Sequence, residues 1–255
     1  MSILHALILG IVEGITEFLP ISSTGHLVLA GELLKIPSTE FLKSFEIIIQ
    51  LGAILAVVVL YGRKFFMSIE ALKRIMIGFI PTALIGLALY RVVKTYLLGS
   101  DTVVIWSLFI GGVVILIFEA LHREGGHAVA EVEKIPYKTA ALIGVCQAVA
   151  IVPGVSRSAA TILGGLALGV KRTTITEFSF LLAVPTMAAA TGLDLIKNAS
   201  SFSTDQFSFL AVGFVTSFVV ALLAIKAFIG FIKHHSFAAF GWYRIVAAVA
   251  FRLVR

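Results

Sequence analysis

Residues 10–26 read GIVEGITEFLPISSTGH, an apolar run broken by Glu13, Glu17, Pro20, the hydroxyls of Ser22, Ser23 and Thr24, and His26. Laid over the second half of the chain at an offset of about 134, the run falls on GVCQAVAIVPGVSRS from Gly144. After a one-residue gap Pro20 meets Pro153 and Ser23 meets Ser156. The order persists downstream, where KSFE at 43–46 meets TITE at 174–177, and GFIPTALIGLAL from Gly78 meets GFVTSFVVALLA from Gly213. The chain therefore reads as two copies of one unit. Each copy holds a short, Pro-broken, polar-tipped hairpin, at about 4–34 and 138–169, followed by three full spans. Three is odd, so the copies sit upside down relative to one another, an arrangement in which broken segments from the two halves meet near the midplane.

The expected fold is an all-α polytopic membrane protein of two inverted repeats, each a re-entrant helix-loop-helix hairpin plus three transmembrane helices. It forms a single membrane domain over 1–255, with repeat one at about 1–120, repeat two at about 138–255 and a cytoplasmic loop at about 120–137 between them. Composition agrees. Of 255 residues 59% are hydrophobic and 13% charged, and the mean hydropathy of +1.06 is far above that of a water-soluble globule. Apolar runs at 45–61, 75–90, 103–118, 178–195, 207–231 and 237–254 approach the roughly 20 residues that cross a bilayer core. Period-two alternation is absent, which argues against a β-barrel.

Glu13 and Glu17 stand where a signal peptide would be apolar, and no basic region precedes them, so the first stretch reads as part of the mature protein. Cys146, the single cysteine, excludes an internal disulfide. The net charge of +6 is assigned to cytoplasmic Lys and Arg near anionic lipid, not to nucleic acid. With the loops around 63–74 and 120–137 placed inside, the inner segments carry 11 Lys/Arg against 7 outside, a modest margin that puts both chain ends outside.

The chemistry lies in the two tips. Glu13 and Glu17 are i and i+4, so their carboxylates share a helix face and repel unless a shared proton, an arginine or a divalent cation neutralises them. Charged groups at this depth are functional by default. Pro20 ends the helix, Gly25 permits a tight turn, and Ser22 and Thr24 suit either capping or ligand contact. A serine three residues before His26 also suits a nucleophile with a proton-transfer partner. The second tip, PGVSRSAAT at 153–161, has no acid. Its Gly154, Ser156, Ser158, Thr161 and Arg157, ahead of an apolar helix, describe a phosphate cradle of free N–H groups, hydroxyls and a guanidinium fork. Joined, the two tips carry what phosphoryl transfer needs, provided that Glu17 and Arg157 come within reach of one another.

These stretches, EGITEFLPISSTGH and PGVSRSAAT, resemble the two signature motifs of the bacterial undecaprenyl-diphosphate phosphatase family, often called the bacitracin-resistance protein. The resemblance extends through FEIIIQLGAILAVV at 45–58 and EFSFLLAVP at 177–185 and covers essentially the whole chain. It implies hydrolysis of undecaprenyl diphosphate to the monophosphate with release of phosphate, dependent on a divalent cation, at the outer face of the bacterial cytoplasmic membrane. Carried over residue by residue, it implies that Glu13 and Glu17 hold Mg²⁺ or Ca²⁺ and that Ser23 attacks. His26 would shuttle the proton, while Arg157, with Ser156 and Thr161, would bind the diphosphate. A metal-activated water or His26 itself stays open as the nucleophile. Thr24, Ser158 and Gln50 are further candidates for substrate contact.

Elsewhere, Gln147 sits at the repeat position of Glu13 and reads either as site lining or as an interhelical hydrogen bond. Glu46 and Glu177, near span ends, read as caps or interfacial groups, and Arg244, after Trp242 and Tyr243, reads as a snorkelling side chain. A prenyl tail needs a greasy lateral opening, and the small-residue runs GGLALG at 164–169 and AVPTMAAATG at 183–192 suit either such a groove or close helix approach. The expected partners are a polyprenyl diphosphate and the membrane, with a homodimer left open. The competing function is a secondary transporter or lipid flippase, which inverted repeats alone would favour.

Overall fold

The computed structural model describes residues 1–37, 39–97, 100–125, 128–198 and 206–254. Among them ten α-helices follow in order: α1 Ile3–Thr16, α2 Ser23–Leu33, α3 Glu40–Met67, α4 Ile69–Val92, α5 Asp101–Leu121, α6 Tyr137–Ala148, α7 Arg157–Ala167, α8 Arg172–Asn198, α9 Phe207–Ile232 and α10 Ala238–Val254. No β-strand occurs among the described residues, and a single bridge pairs Val129 of the central loop with Val170 ahead of α8. Five helices, α3, α4, α5, α8 and α9, are long and apolar enough to cross a membrane. The run expected at 237–254 as a sixth span is α10, whose 17 residues stand at the short end of the roughly 17–25 that cross a bilayer core.

The helices begin and end where side-chain chemistry dictates. Ser2, Ser68 and Ser100 accept backbone N–H groups at the starts of α1, α4 and α5, satisfying donors that a helix start leaves free. Beyond α1, Pro20 has no N–H to offer the carbonyl four residues back, so the chain turns before α2. Pro153 acts alike between α6 and α7.

Helix lengths run 14, 11, 28, 24 and 21 residues in α1 to α5 and 12, 11, 27, 26 and 17 in α6 to α10. The packing crosses between these sets. The short helix α1 rests on α9, and the short helix α6 rests on α4. Both contacts are made glycine on glycine. A Cβ on Gly10 would lie 2.8 Å from the carbonyl oxygen of Gly213, and one on Gly144 only 1.9 Å from that of Gly78. Side chains at these points would hold the helices apart, so the glycines set how deeply each hairpin sinks between the long helices.

Backbone strain repeats as well. Ser22 and Ser156 are the N-caps of α2 and α7, both at positive φ, 72° and 43°. Ser22, not Ser23, thus occupies the place of Ser156, and the one-residue gap in the sequence alignment closes before this point. Phe18 in the first tip is fully buried and meets Phe180 of α8 edge to face at 5.1 Å. It belongs to the core shared by Phe178, Phe228 and Phe237. This aromatic anchor fixes the tip that carries Glu17.

Candidate functional site

The two tips meet. Glu17 continues the line of α1 and keeps the last helical hydrogen bond, from its N–H to the carbonyl of Glu13 at 3.0 Å. Its two carboxylate oxygens divide their work. Oε2 accepts from the hydroxyl of Ser23, the first residue of α2, at 2.6 Å. Oε1 accepts from Nη2 of Arg157, the first residue of α7, at 3.2 Å. The pair is largely shielded, with side-chain exposures of 11% for Arg157 and 5% for Glu17, so the attraction between them is screened little by water.

Arg157 is held from its other side as well. Its Nη1 donates to the carbonyl of Ser179 on α8 at 2.9 Å. The hydroxyl of Thr161 lies 3.0 Å from the carbonyls of Arg157 and Ser158 and shares a short hydrogen bond with the Ser179 hydroxyl. Ser156 caps α7 through Ala159 N–H at 3.2 Å and sits 3.1 Å from the Ser158 hydroxyl. Ser158 in turn donates to the carbonyl of Leu19 at 2.8 Å, stitching the second tip to the first. Ser156, Ser158 and Thr161 therefore assemble with Arg157 as one buried polar cluster.

Two sets of atoms in this cluster are orphaned. Both carboxylate oxygens of Glu13, which is fully buried, and Nε of Arg157 are buried without a hydrogen-bond partner among the described residues. Unsatisfied buried groups are costly and mark where a ligand belongs. Glu13 lies one turn before Glu17 and within electrostatic reach of Glu17, Glu46 and Arg157. The donor set of Glu13, Glu17 and the Ser23 hydroxyl is all hard oxygen, which fits Mg²⁺ or Ca²⁺. Among the described residues no group of three or more His, Cys, Asp and Glu side chains gathers as a metal site.

Other candidates fall outside the cluster. The ring of His26 has both nitrogens engaged away from Ser23: Nδ1 meets the Ser22 carbonyl at 2.8 Å and Nε2 the Tyr243 hydroxyl at 2.8 Å. A carbonyl can only accept, so Nδ1 carries the proton and Nε2 accepts from Tyr243. The ring also stacks on Tyr243 at 5.5 Å. Thr24 is exposed and Gln50 is half-buried on α3. Gln147 donates to Thr82 of α4 at 2.9 Å and Thr186 of α8 at 3.1 Å, which makes it an interhelical tie.

Sequence reasoning went astray at Arg244. It does not snorkel: it is 1% exposed, and its guanidinium lies among backbone carbonyls of both tips and α5. The interfacial look of Trp242 and Tyr243 masked the plainer signal, an arginine inside an apolar helix. Ser179 and Tyr243 were also missed, since neither hydroxyl stands out in an apolar run. The run GGLALG serves close packing, because Cβ atoms on Gly164 and Gly165 would lie 2.7 Å from Cys146 and 2.1 Å from Ile175. An apolar groove lies elsewhere, with a cavity of about 710 Å³ lined by Ile15, Leu19, Ile21, Leu223, Phe228 and Tyr243, between the first tip, α9 and α10.

The fold and the cluster define a polytopic helical membrane protein whose two broken hairpins bring an acid, a serine and an arginine together in one buried place. The bacitracin resistance protein BacA family model matches residues 6–250, and the chain belongs to that family. It is 51% identical to the undecaprenyl-diphosphatase of Aquifex aeolicus over 247 residues, 97% of this chain and 96% of the relative. The undecaprenyl-diphosphatase of Persephonella marina is 51% identical over 253 residues, 99% of each. That of Wolinella succinogenes is 49% identical over 251 residues, 98% of this chain and 97% of the relative.

Proposed function

We propose that this chain hydrolyses undecaprenyl diphosphate to undecaprenyl phosphate and inorganic phosphate, in the bacterial cytoplasmic membrane and with the site open to its outer side. The observation that carries this is the unbroken line from Ser23 through Glu17 to Arg157, at 2.6 and 3.2 Å, made by residues from both tips. Arg157, whose Nε has no partner among the described residues, presents that N–H to an oxygen of the terminal phosphate while Nη2 stays on Glu17. Glu13 and Glu17 would hold a divalent cation, Mg²⁺ or Ca²⁺, which when bound supplies neutralisation of the diphosphate charge.

Ser23 Oγ attacks the terminal phosphorus in line while Glu17 Oε2 takes the hydroxyl proton. The bond from that phosphorus to the bridging oxygen breaks, and the departing monophosphate oxygen takes the proton from Glu17. Glu17 next deprotonates a water that attacks the phosphoserine, and Ser23 recovers its proton as phosphate leaves. His26, bonded to Tyr243, orients the start of α2 in this scheme. The prenyl tail lies in the apolar groove between the first tip, α9 and α10, whose wall Tyr243 shares with the His26 contact.

The topology that goes with this chemistry is one membrane domain of two inverted repeats, about 1–120 and 138–255, with six crossings and two re-entrant hairpins. Its support is the repeated order of helix lengths, the paired glycine contacts, and the shared positive φ at Ser22 and Ser156. Both tips come from one chain, so this chemistry needs no second copy.

Phosphate release from farnesyl diphosphate by the purified protein, with and without chelator, tests the reading. Release that a chelator abolishes and Ser23→Ala lowers by about 10³-fold or more is expected, whereas a Ser23→Ala rate within about threefold of wild type at saturating metal would exclude the serine as nucleophile. Ion-gradient-driven uptake with no release would make the chain a transporter.

A further inference from the structure

The chemistry above leaves Arg244 unused, yet it is the bulkiest fully buried side chain among the described residues. A buried cation ordinarily demands an anion. Among the described contacts its guanidinium meets carbonyls only. Nε donates to Leu108 at 3.3 Å, Nη1 to Pro20 at 3.3 Å, and Nη2 to Ser107 and Gly154 at 2.9 Å each. Four of the five N–H donors of the fork are thus engaged.

The acceptors come from three separate places. Ser107 and Leu108 belong to α5, Pro20 is the break in the first tip, and Gly154 is the break in the second. Pro20 stands three residues after Glu17, and Gly154 three residues before Arg157. Room for the fork is made by a glycine pair on α5: a Cβ on Gly111 would lie 2.2 Å from Nη2, and one on Gly112 3.1 Å from the Cβ of Arg244. Gly154 itself adopts φ 90°, which a side chain would resist.

We propose that Arg244 is a positioning residue for diphosphate hydrolysis: its single guanidinium binds the Pro20 and Gly154 carbonyls to α5 and so fixes Glu17 against Arg157. It does not touch the substrate, because four of its five N–H donors are taken up by backbone carbonyls. The effect on rate rests on the phosphatase reading, while the clamp itself rests on geometry alone.

The test compares full-length wild type with Arg244→Met, Arg244→Lys and Gly111→Ala in detergent. Two readouts are taken, hydrogen exchange of tip amides at 18–23 and 152–157, and kcat and KM for farnesyl diphosphate. Arg244→Met and Gly111→Ala are expected to raise tip exchange about tenfold or more, with α3 and α9 amides unchanged, and to lower kcat about 100-fold with KM within about threefold. Arg244→Lys, a charge without a fork, recovers only part of the lost kcat. Should Arg244→Met fail to fold, Gly111→Ala decides alone, since it keeps the arginine and displaces the guanidinium. Unchanged tip exchange overturns the clamp, and so does a raised KM with kcat intact, which would make Arg244 a phosphate ligand. A wild type that releases no phosphate sinks the phosphatase reading and leaves the clamp to be judged by exchange.

Discussion

Glu17→Gln is the sharpest perturbation of this site, because both partners of the carboxylate are donors. Ser23 gives its proton to Oε2 and Arg157 gives one to Oε1. A glutamine of the same shape offers one accepting oxygen and one NH₂. The guanidinium cannot accept, so the amide oxygen turns to Arg157 and the NH₂ to Ser23, whose hydroxyl must now accept. The serine then has no group to take its proton, a loss of about 10²–10⁴ in rate. Arg157 at the same time loses its charged partner in a shielded place, and breaking a buried pair costs about 3–5 kcal/mol. Glu17→Gln should therefore lower kcat for farnesyl diphosphate about 10³-fold even at saturating Mg²⁺.

A double-mutant cycle with Arg157→Met sharpens the outcome. Residues acting as one unit are non-additive, so the double variant should be within about threefold of the slower single one. Phosphate release measured over a metal titration reads both quantities. A Glu17→Gln enzyme within about tenfold of wild type, or losses that multiply in the double variant, would refute the assignment of Glu17 as the proton acceptor coupled to Arg157.

Gly144→Ala places a methyl 1.9 Å from the Gly78 carbonyl, where neither backbone can yield, and should destabilise the detergent-solubilised protein by about 1–3 kcal/mol. Gly230→Ala, with nothing within 4 Å, should be neutral or stabilising by up to about 1 kcal/mol in the same thermal-unfolding assay. Ala227→Trp fills the apolar groove and should reduce turnover of undecaprenyl diphosphate at least about tenfold more than that of farnesyl diphosphate, a ratio that a groove unconnected with the tail would not produce. Tyr243→Phe removes the hydroxyl bonded to His26, a loss of about 1 kcal/mol, and should lower kcat less than about tenfold, whereas His26→Phe in the same phosphate-release assay should lower it further.

Much of the site was written in types and spacing. Glu13, Glu17, Ser23, Ser156, Ser158, Thr161 and Arg157 are polar residues in otherwise apolar runs, and burial forces such residues either to pair or to bind. Two tips, one acidic and one basic, had one obvious way to satisfy each other. Direction was harder to read. The spacing of Ser23 and His26 suggests a nucleophile and its base, but three residues at the start of α2 turn the ring away, toward an α10 tyrosine 217 positions distant. The partners of Arg244 were unreadable for the same reason: they are carbonyls, and any residue has one. GGLALG looks alike in a groove and in a tight crossing, and only the neighbours Cys146 and Ile175 distinguish the two. The apolar run at 237–254 matches α10 almost residue for residue, with only Phe237 lying on the turn before the helix.

The crossing of α1 onto α9 also bears on how the protein is made. The ribosome delivers the hairpin with Glu13 and Glu17 first, yet the helix that seals its glycine face starts only at Phe207. At about 5–20 residues per second, that leaves on the order of 10–40 s in which the glycine face of a short, acid-bearing segment has no partner, although α2 and α3 already pack against its other side. During synthesis the first hairpin can pack on α3 as that helix emerges, and it settles fully only when the second half arrives to close its glycine face.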